Sequence, residues 1–357
     1  MRIGRKAALC SLALAACLWG AGPGAASASE PAGCSAGAGQ TRQIVDMAGR
    51  TVVLPPTIER IATIGSVPVI NGYLFALGAG DRIVNGLPPR FTQTARWRLQ
   101  GEIAPGLAER PVLQGQAGNG VNLETLLGLA PDLVITMDTP SARALETARI
   151  PVIVIEWRHA QDIEASMALL GCALDRVQRS EDYLRYFEAT LQRVRETLAD
   201  LAPADRPKVL YFNPGTMATP LVIANWWIEA AGGRSVTAAL AGEGSAHYTH
   251  EQLLLWNPDV LIVNSPEQVA AIHRDERFAR LAAVRHGRVH ATPIGAHAWG
   301  QRTIEQPLTV LWAAKLLHPD RFAGVDMEGE MGSFYRRFFK YGLTGEEARS
   351  ILAGSAR

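Results

Sequence analysis

Two stretches of the chain match each other without gaps: ETLLGLAPDLVI at residues 124–135 and EQLLLWNPDVLI at residues 251–262. Each predicts a short helix, a Pro-Asp turn and a strand whose continuous apolar sequence is typical of burial on both faces. A common helix-capping residue, Asn122 or Thr249, stands two places before each glutamate, so Glu124 and Glu251 fall in the first turn of their helices. The repeat therefore predicts two related lobes.

From residue 41 onward, short apolar runs alternate with helical patterns, which is typical of parallel sheets covered by helices. Between the two halves, apolar residues at helical spacing predict one long helix over residues 180–201, about 33 Å in length. The predicted fold class is α/β, with two related parallel-sheet lobes joined by one long α-helix and a ligand cleft between the lobes. The predicted strands are residues 61–64, 133–136, 152–155, 209–212, 260–263 and 289–291.

The first residues are typical of a secretion signal, with basic residues before an apolar stretch and Ala-Ser-Ala at residues 26–28 as a cleavage site. We therefore expect a periplasmic protein. The sequence LAAC at residues 14–17 resembles a lipobox, so a lipid anchor through Cys17 remains an alternative. Without residues 1–28 the chain has 32 basic and 34 acidic residues, a formal charge of −2, and this balance does not suggest nucleic acid as a partner.

Cys34 lies in a stretch rich in Ala, Gly, Ser and Pro, and Cys172 lies close to the predicted long helix. An exported compartment permits a disulfide between them, but the flexibility of the first stretch leads us to expect two free thiols. The predicted segments are a signal peptide (1–28), a flexible linker (29–40), an N-terminal α/β lobe (41–160), a linker-helix region (161–205), a C-terminal α/β lobe (206–320) and a C-terminal helical tail (321–357).

With these features the chain resembles the periplasmic binding proteins of ABC importers for ferric siderophores, haem and cobalamin, over about residues 41–322. Besides the repeat, the resemblance is carried by DMAGRTVVLP at 46–55, RIATI at 60–64, LGAGDRI at 77–83, AAGG at 230–233 and PLTVLWAAKLL at 307–317. It implies a monomeric solute-binding protein without a cofactor, which delivers a metal chelate to an ABC permease in the inner membrane. We expect a ferric siderophore, and cobalamin, haem or a bare metal ion remain alternatives.

In that family one glutamate on each lobe pairs with permease arginines, and Glu124 and Glu251 match those positions. An acid in the first turn also stabilises a helix without any partner, by about 0.3–1 kcal/mol. The identical placement of both glutamates favours docking. A periplasmic metal-dependent enzyme is the alternative of another class, but no G-x-S-x-G, H-E-x-x-H, Walker loop or complete G-x-G-x-x-G occurs in the sequence.

Ligands of parallel α/β lobes bind beyond the carboxyl ends of the strands, and two facing lobes place those ends around one cleft. Arginines there supply planar donors for anionic groups, and aromatic rings can stack on flat ones. Arg302 follows Trp299 at the spacing W-x-x-R and resembles the arginine that family members place in the cleft. The candidate ligand-binding residues are Ser66, Arg90, Met137, Trp157, Arg158, Asn213, Tyr248, Trp299 and Arg302; the histidine spacing matches no metal motif.

Overall fold

The computed structural model describes residues 41–355, apart from residues 93–94, 116–119, 147–148, 158–160, 241 and 243. The signal peptide, the linker, Cys17, Cys34 and Arg158 lie outside the described residues. Among the residues that are described, no helix combines the length and the apolar character needed to cross a membrane.

The N-terminal lobe is a parallel sheet covered by short helices and preceded by an antiparallel hairpin. Its strands are β1 (Arg42–Val45), β2 (Thr51–Leu54), β3 (Ile61–Ile64), β4 (Leu133–Thr136) and β5 (Val152–Val154). Its helices are α1 (Val67–Ala76), α2 (Pro89–Thr92), α3 (Arg98–Ile103), α4 (Leu123–Leu129) and α5 (Thr139–Glu146). In the sheet, β4 lies between β3 and β5. All residues of these three strands are buried, as their continuous apolar sequences predict.

Two helices connect the lobes, α6 (Gln161–Ala173) and α7 (Val177–Thr197). The 21 residues of α7 extend over about 32 Å at about 1.5 Å per residue. Its buried stripe includes Tyr183, Phe187 and Val194, which fall at helical spacing. The predicted single long helix is therefore present, although it begins and ends a few residues earlier than expected.

The C-terminal lobe repeats the architecture of the N-terminal lobe. Its strands are β6 (Lys208–Tyr211), β7 (Ala218–Pro220), β8 (Arg234–Ser235), β9 (Ser245–His247), β10 (Val260–Val263) and β11 (Val289–Ala291). Its helices are α8 (Leu221–Ala230), α9 (His250–Trp256), α10 (Pro266–Arg274), α11 (Ala282–Arg285) and α12 (Gln306–Leu317). The parallel sheet has the order β11-β10-β6-β8, and β7 and β9 form a separate antiparallel pair.

The C-terminal segment covers the long helix. It contains α13 (Met327–Phe334), a π-helical turn (Tyr335–Phe339) and α14 (Gly345–Leu352). The ring of Phe338 lies 5.5 Å from the ring of Tyr183 on α7. The segment is thus packed against the linker by aromatic contacts.

The two repeat helices, α4 and α9, end and begin alike. The side chain of Asn122 accepts a hydrogen bond from the backbone of Thr125, and that of Thr249 accepts one from Gln252, so both predicted caps are present. Asp132 accepts hydrogen bonds from the backbone N–H groups of Glu59 and Arg60, directly before β3. Asp259 accepts one from the backbone N–H of Lys208, at the start of β6. The repeated sequence therefore folds into a repeated structure.

The expectation of two free thiols is wrong for Cys172. It is buried and disulfide-bonded, and its partner lies outside the described residues. The entropic cost of closing a flexible loop rises only slowly with the length of the loop. A flexible stretch in the chain therefore does not prevent a disulfide in an oxidising compartment.

Candidate ligand cleft

A cleft of about 490 Å³ opens beyond the carboxyl ends of β6 and β10. Asn213 follows β6 and Asn264 follows β10 in its wall. The loop between β11 and α12, here called the cleft loop, contributes His297 and Gln301. The opposite wall comes from the region after α2 in the N-terminal lobe. The position agrees with the rule that ligands bind at strand ends.

Arg96 is the one arginine or lysine lining the cleft in the described part of the chain, and no carboxylate lines it there. Its Nε is buried and has no hydrogen-bond partner among the residues that the structure describes. Burial lowers the pKa of its guanidinium, while Tyr211 and the exposed Glu267 act in the opposite direction. Because a guanidinium only donates hydrogen bonds, this partly dehydrated cation favours an anionic ligand.

Aromatic rings beside Arg96 connect the two lobes across the cleft. The ring of Trp97 lies 5.1 Å from Phe91, edge to face, and 4.7 Å from the imidazole of His297 on the cleft loop. The Arg96 guanidinium lies 6.0 Å from the centre of the Trp97 ring. These faces can stack on flat groups of a ligand while Arg96 binds its charge.

A hydrogen-bonded chain forms the floor of the cleft. The hydroxyl of the buried Tyr211 donates to Asn264 Oδ1 at 2.5 Å and accepts from Gln301 Nε2 at 2.8 Å. A Cβ at Gly300 would lie 2.4 Å from Cζ of the Tyr211 ring, so only glycine lets the cleft loop approach the strand this closely. The chain fixes the loop against β6.

The amide of Asn213 is held in one orientation. Its Oδ1 accepts a hydrogen bond of 2.9 Å from the backbone N–H of Gly215, and Gln268 Oε1 accepts one of 2.8 Å from the backbone of Asn264. Because backbone N–H groups only donate, these contacts identify the amide oxygens. The Nδ2 of Asn213 therefore remains available as a donor in the cleft wall.

The cleft loop is folded around a buried carboxylate. Glu305 is fully buried, and its oxygens accept hydrogen bonds from Tyr335 Oη at 2.6 Å, Trp299 Nε1 at 3.0 Å and the backbone of His297 at 3.0 Å. Burial raises the pKa of Glu305. Trp299 is itself completely buried. The indole of Trp299, one of the predicted ligand-binding residues, thus packs beneath the cleft loop and lines neither the cleft nor its second compartment.

His297 is neutral in this environment. Its pKa is lowered to about 3, chiefly by burial; the hydrogen bond with the carbonyl of Ala298 acts in the opposite direction, and the charges of Arg96 and Arg302 contribute to the lowering. His297 Nδ1 lies 3.2 Å from that carbonyl oxygen, which can only accept, so Nδ1 carries the proton.

Among the described residues, no group of three or more His, Cys, Asp and Glu side chains is placed to hold a metal ion.

A second compartment of about 220 Å³ adjoins the main cleft and shares Pro220 and Ser245 with it. It is lined by Trp157 and Arg302, two of the predicted ligand-binding residues. Arg302 makes no hydrogen bond or ion pair with the described residues, and the indole N–H of the buried Trp157 has no partner. Each compartment is thus lined by one arginine, Arg96 in the main cleft and Arg302 in the second compartment.

The other predicted ligand-binding residues are distributed around the cleft. Asn213 lines the cleft. Arg90 does not; its guanidinium lies 4.7 Å from the centre of the Phe91 ring and donates to the carbonyl of Gly65 at 3.0 Å. Tyr248 packs against Phe212 and hydrogen-bonds to Thr219. Ser66 precedes α1, Met137 packs partly buried against the core, and neither lines the cleft.

The strand-end rule did not nominate Arg96, because this residue lies between α2 and α3 and follows no strand. The run ARWR at residues 95–98 carries alternating cations around an aromatic ring. That pattern is compatible with an anion-binding site, but ordinary surface helices show it as well. Gln301 and His297 lie in the cleft loop, which also contains the predicted residues Trp299 and Arg302.

Glu124 and Glu251 are both exposed, on α4 and α9 respectively. Neither lines the cleft. Their placement at the same position of two equivalent helices follows from the repeat.

Two related α/β lobes, a long connecting helix and a cleft at the strand ends define a two-lobe solute-binding protein. The chain belongs to the periplasmic binding protein family, whose model matches residues 73–294. It is accordingly a solute-binding component of an ABC importer, located in the periplasm, and it carries a ligand instead of performing catalysis with a cofactor.

Known relatives agree with this assignment. The molybdate-binding protein MolA of Haemophilus influenzae is 27% identical over 84% of this chain and 91% of its own length. A cobalamin-binding protein of Halobacterium salinarum is 26% identical over 69% of this chain and 65% of its own length. A solved periplasmic solute-binding protein of Veillonella parvula has a TM-score of 0.76 at 24% identity, covering 88% of this chain and 97% of that one, and so shows the shared fold.

Proposed function

We propose that the cleft captures an anionic, oxygen-rich metal compound and delivers it to the permease of an ABC importer. The observation that carries this proposal is the buried, unpartnered Nε of Arg96 in a cleft without a lining carboxylate among the described residues. Neutral donors such as Asn213 Nδ2 complement it. A desolvated cation of this kind is costly unless an anion completes its hydrogen bonds.

Two sources share this chemistry. The second compartment with Arg302 favours a chelate that carries at least two anionic groups, and a ferric siderophore is such a compound. The molybdate-binding relative supports a bare metal oxoanion, for which Arg96 and the amides would be sufficient. We favour the chelate, because two adjoining compartments exceed the needs of a single oxoanion.

We further propose that Glu124 and Glu251 dock the loaded protein onto the permease, with one glutamate for each half of a two-fold interface. Both are exposed, outside the cleft and equivalent in the repeat. Replacing both with Lys should leave ligand affinity nearly unchanged and abolish uptake, because like charges would then face the permease arginines. Normal uptake at normal protein levels would contradict this role. We also propose that the protein acts as a monomer; a lipid anchor through Cys17 stays the alternative to cleavage after residue 28.

Isothermal titration calorimetry tests the ligand class, with ferric hydroxamate and catecholate siderophores, molybdate, haem and cobalamin as separate arms. Arg96→Ala should weaken the ligand that binds by about 1.5–3 kcal/mol, the value of a charge-assisted hydrogen bond. Arg285→Ala is the control, because Arg285 is exposed on α11 and lines neither compartment. If Arg96→Ala binds each of these compounds as tightly as the wild type does, the proposed anion site is excluded.

A further inference from the structure

Exposed apolar side chains are concentrated on the two repeat helices. Of the eight large hydrophobic residues that are exposed in the described part of the chain, four lie on α4 and α9: Leu123, Leu127, Leu254 and Leu255. Each helix has only seven residues. Such a concentration differs from the scattered exposed apolar residues of an ordinary surface, and it is a feature of interaction sites.

Two of these leucines are equivalent in the repeat. Leu127 is 50% exposed and stands three residues after Glu124; Leu254 is 40% exposed and stands three residues after Glu251. Residues three apart are neighbours on one helix face. Each lobe therefore presents a carboxylate and an exposed leucine side by side. The leucines that precede them in sequence are buried in both lobes and anchor the helices to the sheets.

Both helices are held by the same kind of contact at their carboxyl ends. Arg60 donates to the carbonyl of Leu129 at 2.7 Å, and Lys208 donates to the carbonyl of Trp256 at 2.8 Å. Cations here also interact favourably with the helix dipole. The helices that carry the two glutamate and leucine pairs are thus anchored in the same way. This equivalence suits a partner that contacts both pairs at once.

We infer that Leu127 and Leu254 are apolar anchors for the permease, each filling an apolar recess beside the group that receives the glutamate of the same helix. The inference rests on the proposed docking of Glu124 and Glu251. The partner has to offer the same combination of cation and recess twice, which an assembly with two-fold symmetry does. The charges then steer and orient the encounter, while burial of the leucines slows dissociation.

The test measures binding of the ligand-loaded full chain to its cognate permease in lipid nanodiscs at low and high salt. The double variant Leu127→Gln, Leu254→Gln should bind at least about tenfold more weakly. That deficit should persist at high salt, because apolar contacts are not screened. The double variant Glu124→Gln, Glu251→Gln should also bind more weakly, but its deficit should shrink at high salt.

A matched control exists in the double variant Val53→Gln, Val177→Gln, since these side chains are 50% and 40% exposed and lie outside the repeat helices. It should bind like the wild type. Wild-type affinity of the leucine variant, together with a weakened glutamate variant, would overturn the leucine inference alone. Wild-type affinity of both would overturn the docking proposal as well. Loss of a homodimer in sedimentation, with permease binding intact, would show that the leucines serve a second copy of the chain.

Discussion

The side-chain amide of Gln100 donates a hydrogen bond of 2.8 Å to the backbone carbonyl of Ala296. Gln100 belongs to α3 of the N-terminal lobe, and Ala296 belongs to the cleft loop. The same amide also donates to the carbonyl of Pro68 and accepts from Asn71, at 3.1 Å and 3.2 Å. Gln100 and Asn71 are completely buried. The lobes are therefore joined by a buried hydrogen bond at Ala296, the residue directly before His297 in the cleft loop.

Gln100→Ala should lower the free energy of unfolding by about 1–3 kcal/mol, because it leaves the buried groups of Ala296 and Asn71 without a partner. Chemical denaturation measures this. Gln43→Ala is the control, since Gln43 is exposed on β1. Equal stability of the two variants would show that the contact between the lobes contributes nothing.

Ligand binding should close the cleft only slightly, because α7 and the Gln100 contact both connect the lobes. Small-angle X-ray scattering with and without ligand should show a change in radius of gyration below about 1 Å. Hinge-type closure moves whole domains. A decrease of several ångströms would show that these connections are soft.

The low pKa of His297 makes stability sensitive to acid. The ordinary value is 6.5 and the folded value about 3, so the unfolded chain binds a proton first as the pH falls. The contribution of His297 is therefore complete above pH 6.5 and is lost as the pH falls towards 3, by at most about 1.4 kcal/mol per pH unit. His297→Asn should flatten this part of the profile in thermal or urea unfolding. An unchanged slope would mean that His297 is already charged when folded.

Arg302→Ala should distinguish the two ligand sources. If the ligand is a chelate that occupies both compartments, the variant should lose about 1.5–3 kcal/mol of binding free energy. A bare oxoanion at Arg96 should bind Arg302→Ala as it binds the wild type. Tryptophan quenching measures both. Equal affinity for the chelate would remove Arg302 from the site.

The strands and the repeat were predictable because buried parallel strands have continuous apolar sequences. The strands at residues 61–64, 133–136, 260–263 and 289–291 have the predicted bounds, while β6 starts and ends one residue earlier than predicted and β5 ends one residue earlier. Local sequence contains this information, since burial on both faces requires it. Strand ends depend on pairing with neighbours, which a single stretch does not reveal.

The sequence predicted the position of the cleft, but only some of the residues that line it. Asn213 and the cleft loop follow strands, and the strand-end rule identifies them. Arg96 follows no strand; it lies in the cleft wall next to Trp97, whose ring packs against His297 of the other lobe. The W-x-x-R spacing likewise does not reveal that Trp299 is buried and donates a hydrogen bond to Glu305 within the cleft loop.

The most direct measurement is the anomalous scattering from a crystal of the protein purified from its native periplasm, recorded at the absorption edge of the metal that co-purifies. We expect one strong metal peak inside the cleft, between Arg96 and the cleft loop, with oxygen-rich density in contact with the Arg96 guanidinium. An organic solute without metal in the cleft, or a metal peak outside it, would contradict the proposal that this protein captures an anionic metal compound.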